Sequence, residues 1–434
     1  MGLVSRCVVA LGLSLASAGA LADDVWILRT DLWRSPAFST LKVREDAGRV
    51  TGTLDGDAVE GSVEHGMMVI SGTDAQGRTS RYRLRPEGGK IAGTADLPDP
   101  NDGTRRAEHA VSGWKLPGRQ GPPRTIEYRP REFSNTWDAD RQPVLVVWPG
   151  DTIHTSTIDS GGVDEHGVTR ALFGNPQTGP FFIAGAEPGD TLVVHIRRLA
   201  LNRDYADSLD AIVGRALGRA LVADAAQLGK PVRWSLDRGK GLARPKAASG
   251  ALASYAVPVR PMLGGLAVAP AFGLPAISTG DTGSFGGNMD FNEVVEGNTV
   301  YLPVQQPGAL LYMGDAHALQ GDGETTQYAL ETSMDVTVTV DLIRGRAIAM
   351  PRVESPSQIM VLGQAGSLDD ALKAASTGMV QWLQQDYGMN LSEAAQVLGT
   401  AVHYTVANLA GRSVGVAARI DKRLLPAVAE RRPG

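Results

Sequence analysis

The run Gly314-Asp315-Ala316-His317-Ala318-Leu319-Gln320-Gly321-Asp322-Gly323-Glu324 places three carboxylates, an imidazole and an amide among three glycines. The preceding Gly308-Ala309-Leu310-Leu311-Tyr312-Met313 reads as a short buried strand. Gln327 to Val340 alternates and is rich in Thr and Val, again strand-like. On an extended chain Asp315 and His317 share a face, because side chains alternate. A carboxylate and an imidazole converging on one point suit a hard or borderline metal ion. The same residue types also make ordinary Asp/Gly turns, so a metal site and a solvated loop both fit this spacing.

A second element is Gly286-Gly287-Asn288-Met289-Asp290. Its paired glycines allow a ligand to approach the backbone closely, with Asp290 as an oxygen ligand. A third, weaker one is the loop from Asp159 to His166. Other catalytic devices fail on context. Gly411-Arg412-Ser413-Val414-Gly415 matches a nucleophile elbow, yet it follows a helical pattern and precedes a strand, with no histidine after Ser413. No phosphate-binding or dinucleotide loop appears in a strand–helix setting. The net charge of −5 and the lack of a basic run argue against a nucleic-acid partner.

The elements that must position these residues divide the chain. Residues 1–22 read as a signal peptide: one charge at Arg6, an apolar stretch from Val8 to Ala18, and Ala20-Leu21-Ala22 before Asp23. The apolar stretch is too short for a membrane anchor, so a periplasmic or secreted location without a membrane span after processing is expected. The single cysteine, Cys7, lies in that segment, which leaves the processed chain without a disulfide or a thiol nucleophile. Residues 23–117 show short strands about ten residues apart with Gly/Asp turns, a small antiparallel all-β module. His65 and His109 lie there without clustered partners. Pro117-Gly118-Arg119-Gln120-Gly121-Pro122-Pro123 spans a linker at 118–123, and a larger domain runs over 124–434.

Within that domain Pro149-Gly150-Asp151-Thr152, Pro188-Gly189-Asp190-Thr191 and Glu296-Gly297-Asn298-Thr299 repeat a turn that feeds a strand. The repeat points to a mainly β fold of sandwich or jelly-roll type with peripheral helices. Helices are expected over 203–228, from Ser367 through Leu383, and over 391–409 with Gly411 as C-terminal cap. Residues 229–257 read as irregular, and Val414 to Ile420 as a strand. His195 and His403 read as packed or exposed rather than catalytic.

Several blocks together resemble the acetamidase/formamidase family: Thr178-Gly179-Pro180-Phe181-Phe182 through Asp190, Gly286-Gly287-Asn288-Met289-Asp290, Leu302-Pro303-Val304, Gly308-Ala309-Leu310, and Asp315-x-His317-Ala318-x-Gln320-Gly321-Asp322-Gly323-Glu324. They span roughly residues 124–425, and the amino-terminal module lies outside the pattern. The resemblance implies a β-rich fold, homo-oligomers, metal dependence and hydrolysis of small linear amides to a carboxylate and ammonia. On that reading Asp290, Asp315 and His317 hold a divalent ion, with zinc expected and calcium the alternative. Glu324 is the expected general base, and Gln320 the residue orienting the substrate amide. Asn288, or the backbone amides around Gly286, Gly287 and Asn288, is expected to stabilise the oxyanion. The alternative is a non-catalytic envelope binding protein whose ion is structural.

Overall fold

The structure, a computed structural model, describes residues 23–426, so residues 1–22, expected to be a signal peptide, lie outside the described residues. The chain forms two compact units, one comprising residues up to Leu28 with Thr40–Leu116, the other Arg29–Ser39 and Pro117 onward.

Eight antiparallel strands from Asp24–Leu32 to Arg106–Lys115 close into an up-and-down barrel. Alternation sends Leu28, Leu41, Val50, Ile70, Leu84 and Ile91 into a filled apolar interior. Full closure leaves no exposed sheet edge. The two-residue turns Ala47-Gly48, Asp55-Gly56 and His65-Gly66 have both residues at positive φ, the geometry that matches strand twist in tight hairpins. His65 is thus a turn residue, and His109 is buried on the last strand. Gly52 and Gly93 occur where neighbouring strands press close. A Cβ on either would lie 1.9 Å from a backbone oxygen of the adjacent strand.

The larger unit has two large sheets and a two-stranded pairing of Thr136–Trp137 with Ile277–Ser278. The nine-stranded one runs, in spatial order, from His403–Asn408 through Val414–Asp421, Gln358–Ala365, Arg352–Glu354, Thr299–Pro303, Thr191–Leu201, Met334–Ile343 and Thr152–Thr157 to Thr125–Glu127. The other has Leu311–His317 at its centre, paired with Met262–Ala267, Gln177–Ile183 and Glu331–Thr332. Thr152–Thr157 of the first sheet touches Leu311–His317 and Gln177–Ile183 of the second. All seven residues of Leu311–His317 are buried, which fits a strand covered on both faces. The three repeated turns each put glycine at positive φ, with the i→i+3 bonds Asp151 N to Trp148 O, Asp190 N to Glu187 O and Asn298 N to Val295 O.

The helix Leu368–Tyr387 packs on the strands Gln358–Ala365 and Val414–Asp421 through Ala371, Ala375, Met379 and Leu383. Ser367 caps it, accepting from Asp370 N at 3.2 Å and donating to the Asp370 carboxylate at 2.8 Å. Among the described residues no helix is long and apolar enough to cross a membrane.

Three expectations are corrected. The 203–228 segment holds the strand Tyr205–Leu209, a 3-10 turn Gly214–Ala216 and only a four-residue helix Val222–Ala225. The strands Pro231–Asp237 and Leu242–Pro245 run through the stretch expected to be irregular, and Tyr205–Leu209 pairs with the first of them. The third helix is Leu391–Ala401, after which His403–Asn408 is a strand. Val402, Thr405 and Val406 are β-branched and fit a half-buried sheet better than a helix. Gly411 therefore caps no helix, and its amide donates to Asn408 Oδ1 at 3.0 Å.

Candidate active site

Asp315 and His317 lie on the central strand and converge, with His317 Nε2 3.6 Å from Asp315 Oδ1. The strand is locally irregular at Asp315, which has φ 52. Asp290 and Glu324 are also left-handed, at φ 41 and 40. Three acids of one cluster in a conformation disfavoured for residues bearing a Cβ indicate backbone held in place by its surroundings. Antiparallel pairing sets Glu331 opposite His317, and brings Glu331 Oε1 to 3.2 Å from His317 Nε2.

Neutral hydrogen-bond partners fix the cluster. Asp290 Oδ2 accepts from the side-chain amides of Asn288 at 2.6 Å and Asn408 at 2.7 Å. Asp315 Oδ2 accepts from Asn175 Nδ2 at 3.1 Å. Glu324 Oε1 accepts from Ala329 N at 3.1 Å. His317 Nδ1 donates to Gln320 Oε1 at 2.9 Å, an orientation set by Gln320 Nε2 donating to Asp290 O at 2.5 Å.

What these bonds leave over is chemically specific. Asp290 Oδ1, Asp315 Oδ1, His317 Nε2 and Glu331 Oε2 are buried without a hydrogen-bond partner. Buried polar atoms in folded proteins are nearly always satisfied, so four orphans in one cluster mark a place that could hold a ligand. The groups Asp290–His317–Glu324 and Asp315–His317–Glu331 each offer ligand atoms within 4.8 Å of one another. Atoms this close could be drawn onto one shared ion at roughly 2.0–2.2 Å by small side-chain shifts. Gly264 supplies the space: a Cβ there would stand 2.5 Å from Asp290 Oδ1 and 2.7 Å from Asp315 Oδ2. The carboxylates of Asp290, Asp315, Glu324 and Glu331 border a cavity of about 300 Å³, with Asn175 beside them and Phe173 at its wall.

A profile described as the acetamidase/formamidase family matches residues 275–405, which contain the acids of this cluster. An acetamidase structure from Yersinia enterocolitica superposes with TM-score 0.61 and 30% identity, over 71% of this chain and 94% of that one. The chain belongs to the acetamidase/formamidase family. A predicted acetamidase/formamidase from Thermoanaerobacter tengcongensis aligns at 26% identity and TM-score 0.60, over 71% of this chain and 99% of its own. A formamidase from Methylophilus methylotrophus is 24% identical over 346 residues, 62% of this chain and 83% of that one.

In this family member the electrostatics follow from burial. Desolvation, with Asp315 next in importance, raises the Asp290 carboxyl well above its usual range. Desolvation and the neighbouring Asp290 do the same to Glu324. Glu331 is raised by desolvation, partly offset by His317. Burial works against a charged His317, but the Glu331 and Asp315 carboxylates prevail and raise it well above its ordinary value. Acids that resist ionisation around one imidazole form a site short of positive charge.

The structure gathers Asp290, Asp315, His317 and Glu324 at one point, and gives other expected residues different tasks. Gln320 stands behind His317 with both amide ends bonded to protein, so it positions the imidazole instead of orienting substrate. Asn288 is similarly committed: its Nδ2 holds Asp290, its Oδ1 accepts from Asn175, and its backbone N–H donates to Asp281 O. Of these groups only the second Nδ2 hydrogen is left for an oxyanion, on a residue that lines the cavity. Gly286 and Gly287 do not line the cavity. At φ 92 and 112 they let their short strand lie against Leu266 O and Asp281 O, within 2.4 and 2.5 Å of where a Cβ would stand.

The Asp159–His166 loop separates as well. Asp159 makes a buried ion pair with Arg203 at 2.6 Å, whereas His166 is exposed beside Glu165. His154 meets Glu127 at 2.7 Å and His195 meets Thr299 at 3.0 Å, both outside the cluster. Sequence reasoning missed Glu331, Asn175, Asn408 and Gly264. The strand-like alternation over 327–340 was the one available signal, and it did not distinguish Glu331 from a solvated position.

Proposed function

We propose that this protein is a metal-dependent amidase that hydrolyses linear amides to a carboxylate and ammonia. Membership of the acetamidase/formamidase family makes it a hydrolase of carbon–nitrogen bonds in linear amides. Support for the metal comes from the four unpartnered buried atoms of Asp290, Asp315, His317 and Glu331. A mixed oxygen and nitrogen donor set suits zinc better than calcium, which prefers oxygen alone. A divalent ion held there would polarise the amide carbonyl and acidify water.

The chain's own groups supply the remaining steps. Gln320 holds the proton on His317 Nδ1, so Nε2 is the nitrogen that would ligate an ion once its own proton is displaced. Asn288 and Asn408 hold one Asp290 oxygen, leaving the other available. Glu324 borders the cavity, and burial beside Asp290 raises its carboxyl above the ordinary range, which makes it a stronger base when ionised. It takes the proton of the water attacking the carbonyl carbon and returns it to the nitrogen as the C–N bond breaks. Export to the periplasm or outside the cell, with residues 1–22 removed, completes the proposal.

Glu324→Gln tests the assignment. It is isosteric, keeps an acceptor for Ala329 N, and cannot take a proton. Ammonia release is expected to fall by about 10²–10⁴-fold with metal content retained. Undiminished turnover would exclude Glu324 as the base.

A further inference from the structure

The cavity above the carboxylates is larger than formamide or acetamide requires, and part of its otherwise polar wall is aromatic. Its volume of about 300 Å³ is at the lower end of small-molecule pockets, and a water molecule occupies only about 30 Å³. The acids line one part of it. Phe173 and Tyr328 line another, paired edge to face with ring centroids 6.4 Å apart. Phe173 is 59% exposed, although an aromatic ring normally gains from burial.

The backbone presenting this ring is tied down. Asn135 Nδ2 donates to Leu172 O at 3.0 Å and Gly174 O at 3.3 Å. Gly174 and Asn175 N–H both donate to Ser160 O, and Thr279 Oγ1 donates to Gly174 O. Two residues beyond Phe173, Asn175 bonds directly to Asp315. One anchored segment therefore carries both an aromatic wall and a contact to the carboxylate cluster. Beside that ring, Tyr328 directly precedes Ala329, whose amide holds Glu324. At the mouth Arg412 is paired with Asp281 at 2.8 Å, so its charge is already compensated. A neutral flat substituent fits such a mouth better than an anionic one.

We infer that the preferred substrates are primary amides of aryl or arylalkyl carboxylic acids, the ring lying against Phe173 and Tyr328 while the carboxamide reaches Glu324 and Asp290. This rests on the amidase reading and specifies its substrate class. The scissile bond and products are unchanged: water adds to the carbonyl carbon, the C–N bond breaks, and the aryl acid and ammonia leave.

The test is kcat/KM for benzamide and phenylacetamide against acetamide, using the zinc-loaded full chain, its Phe173→Ala variant and the milder Phe173→Leu. The wild-type protein is expected to favour an aryl amide over acetamide by at least tenfold. Phe173→Ala should reduce that ratio by roughly tenfold, with Phe173→Leu intermediate. Acetamide turnover with no aryl preference, or a ratio unmoved by both substitutions, would overturn the inference and leave the amidase assignment standing. Hydrolysis of none of the three amides by metal-loaded protein would remove the amidase reading and this inference with it.

Discussion

Gln320 Oε1 lies 2.9 Å from His317 Nδ1, and the other nitrogen of that ring faces Asp315 and Glu331 without a hydrogen bond. The amide thus decides which imidazole nitrogen is available, and its own orientation is fixed by the Asp290 carbonyl. Gln320→Leu keeps the volume and removes both bonds. Metal affinity is expected to fall about 10–100-fold, the usual effect of losing a partner behind a ligating histidine. Competition titration against a chelator measures it; an unchanged affinity would detach Gln320 from the site.

Gly264→Ala tests the space left for the carboxylates. The added methyl would stand 2.5 Å from Asp290 Oδ1 and 2.7 Å from Asp315 Oδ2, so both must move. Loss of metal binding is expected together with a destabilisation of about 1–3 kcal/mol, the range for overpacked cores. Metal analysis and thermal melting of the purified variant give the two readouts. Full metal occupancy would show that neither oxygen is a ligand.

The raised carboxyls make an unusual pH dependence. Asp290, Glu324 and Glu331 keep protons in the fold above the pH at which the unfolded chain releases them, and His317 does likewise. The native state therefore binds more protons from the ordinary carboxylate range upward, and its stability falls as pH rises. Metal binding requires the deprotonated groups and carries the opposite sign. Without metal, Tm is expected to drop between about pH 5 and pH 8, while the gain from added zinc widens over the same interval. Differential scanning calorimetry with and without zinc checks both slopes. A metal-free Tm rising over that interval would contradict the charge assignment.

Sequence spacing pointed to the site residues that share a short stretch or a glycine-rich neighbourhood: Asp290, Asp315, His317 and Glu324. Their partners are set by sheet register and lie elsewhere in the chain. Glu331 becomes a neighbour because it pairs with His317, and Asn408 because Gly323 bridges to it. Asn175 reaches Asp315 across the chain, and Gly264 matters only for the side chain it lacks. The β-rich class followed from turn spacing. The 203–228 segment deceived because Ala- and Leu-rich sequence satisfies a helical period, whereas pairing with Pro231–Asp237 makes part of it a hairpin.

The most direct test of the central claim is ammonia release from acetamide and benzamide before chelation, after chelation, and after zinc is restored. The buried carboxylate–imidazole cluster predicts activity that is lost with the metal and returns with zinc at a stoichiometry set by that site. Amide hydrolysis that persists in fully metal-depleted protein would contradict it.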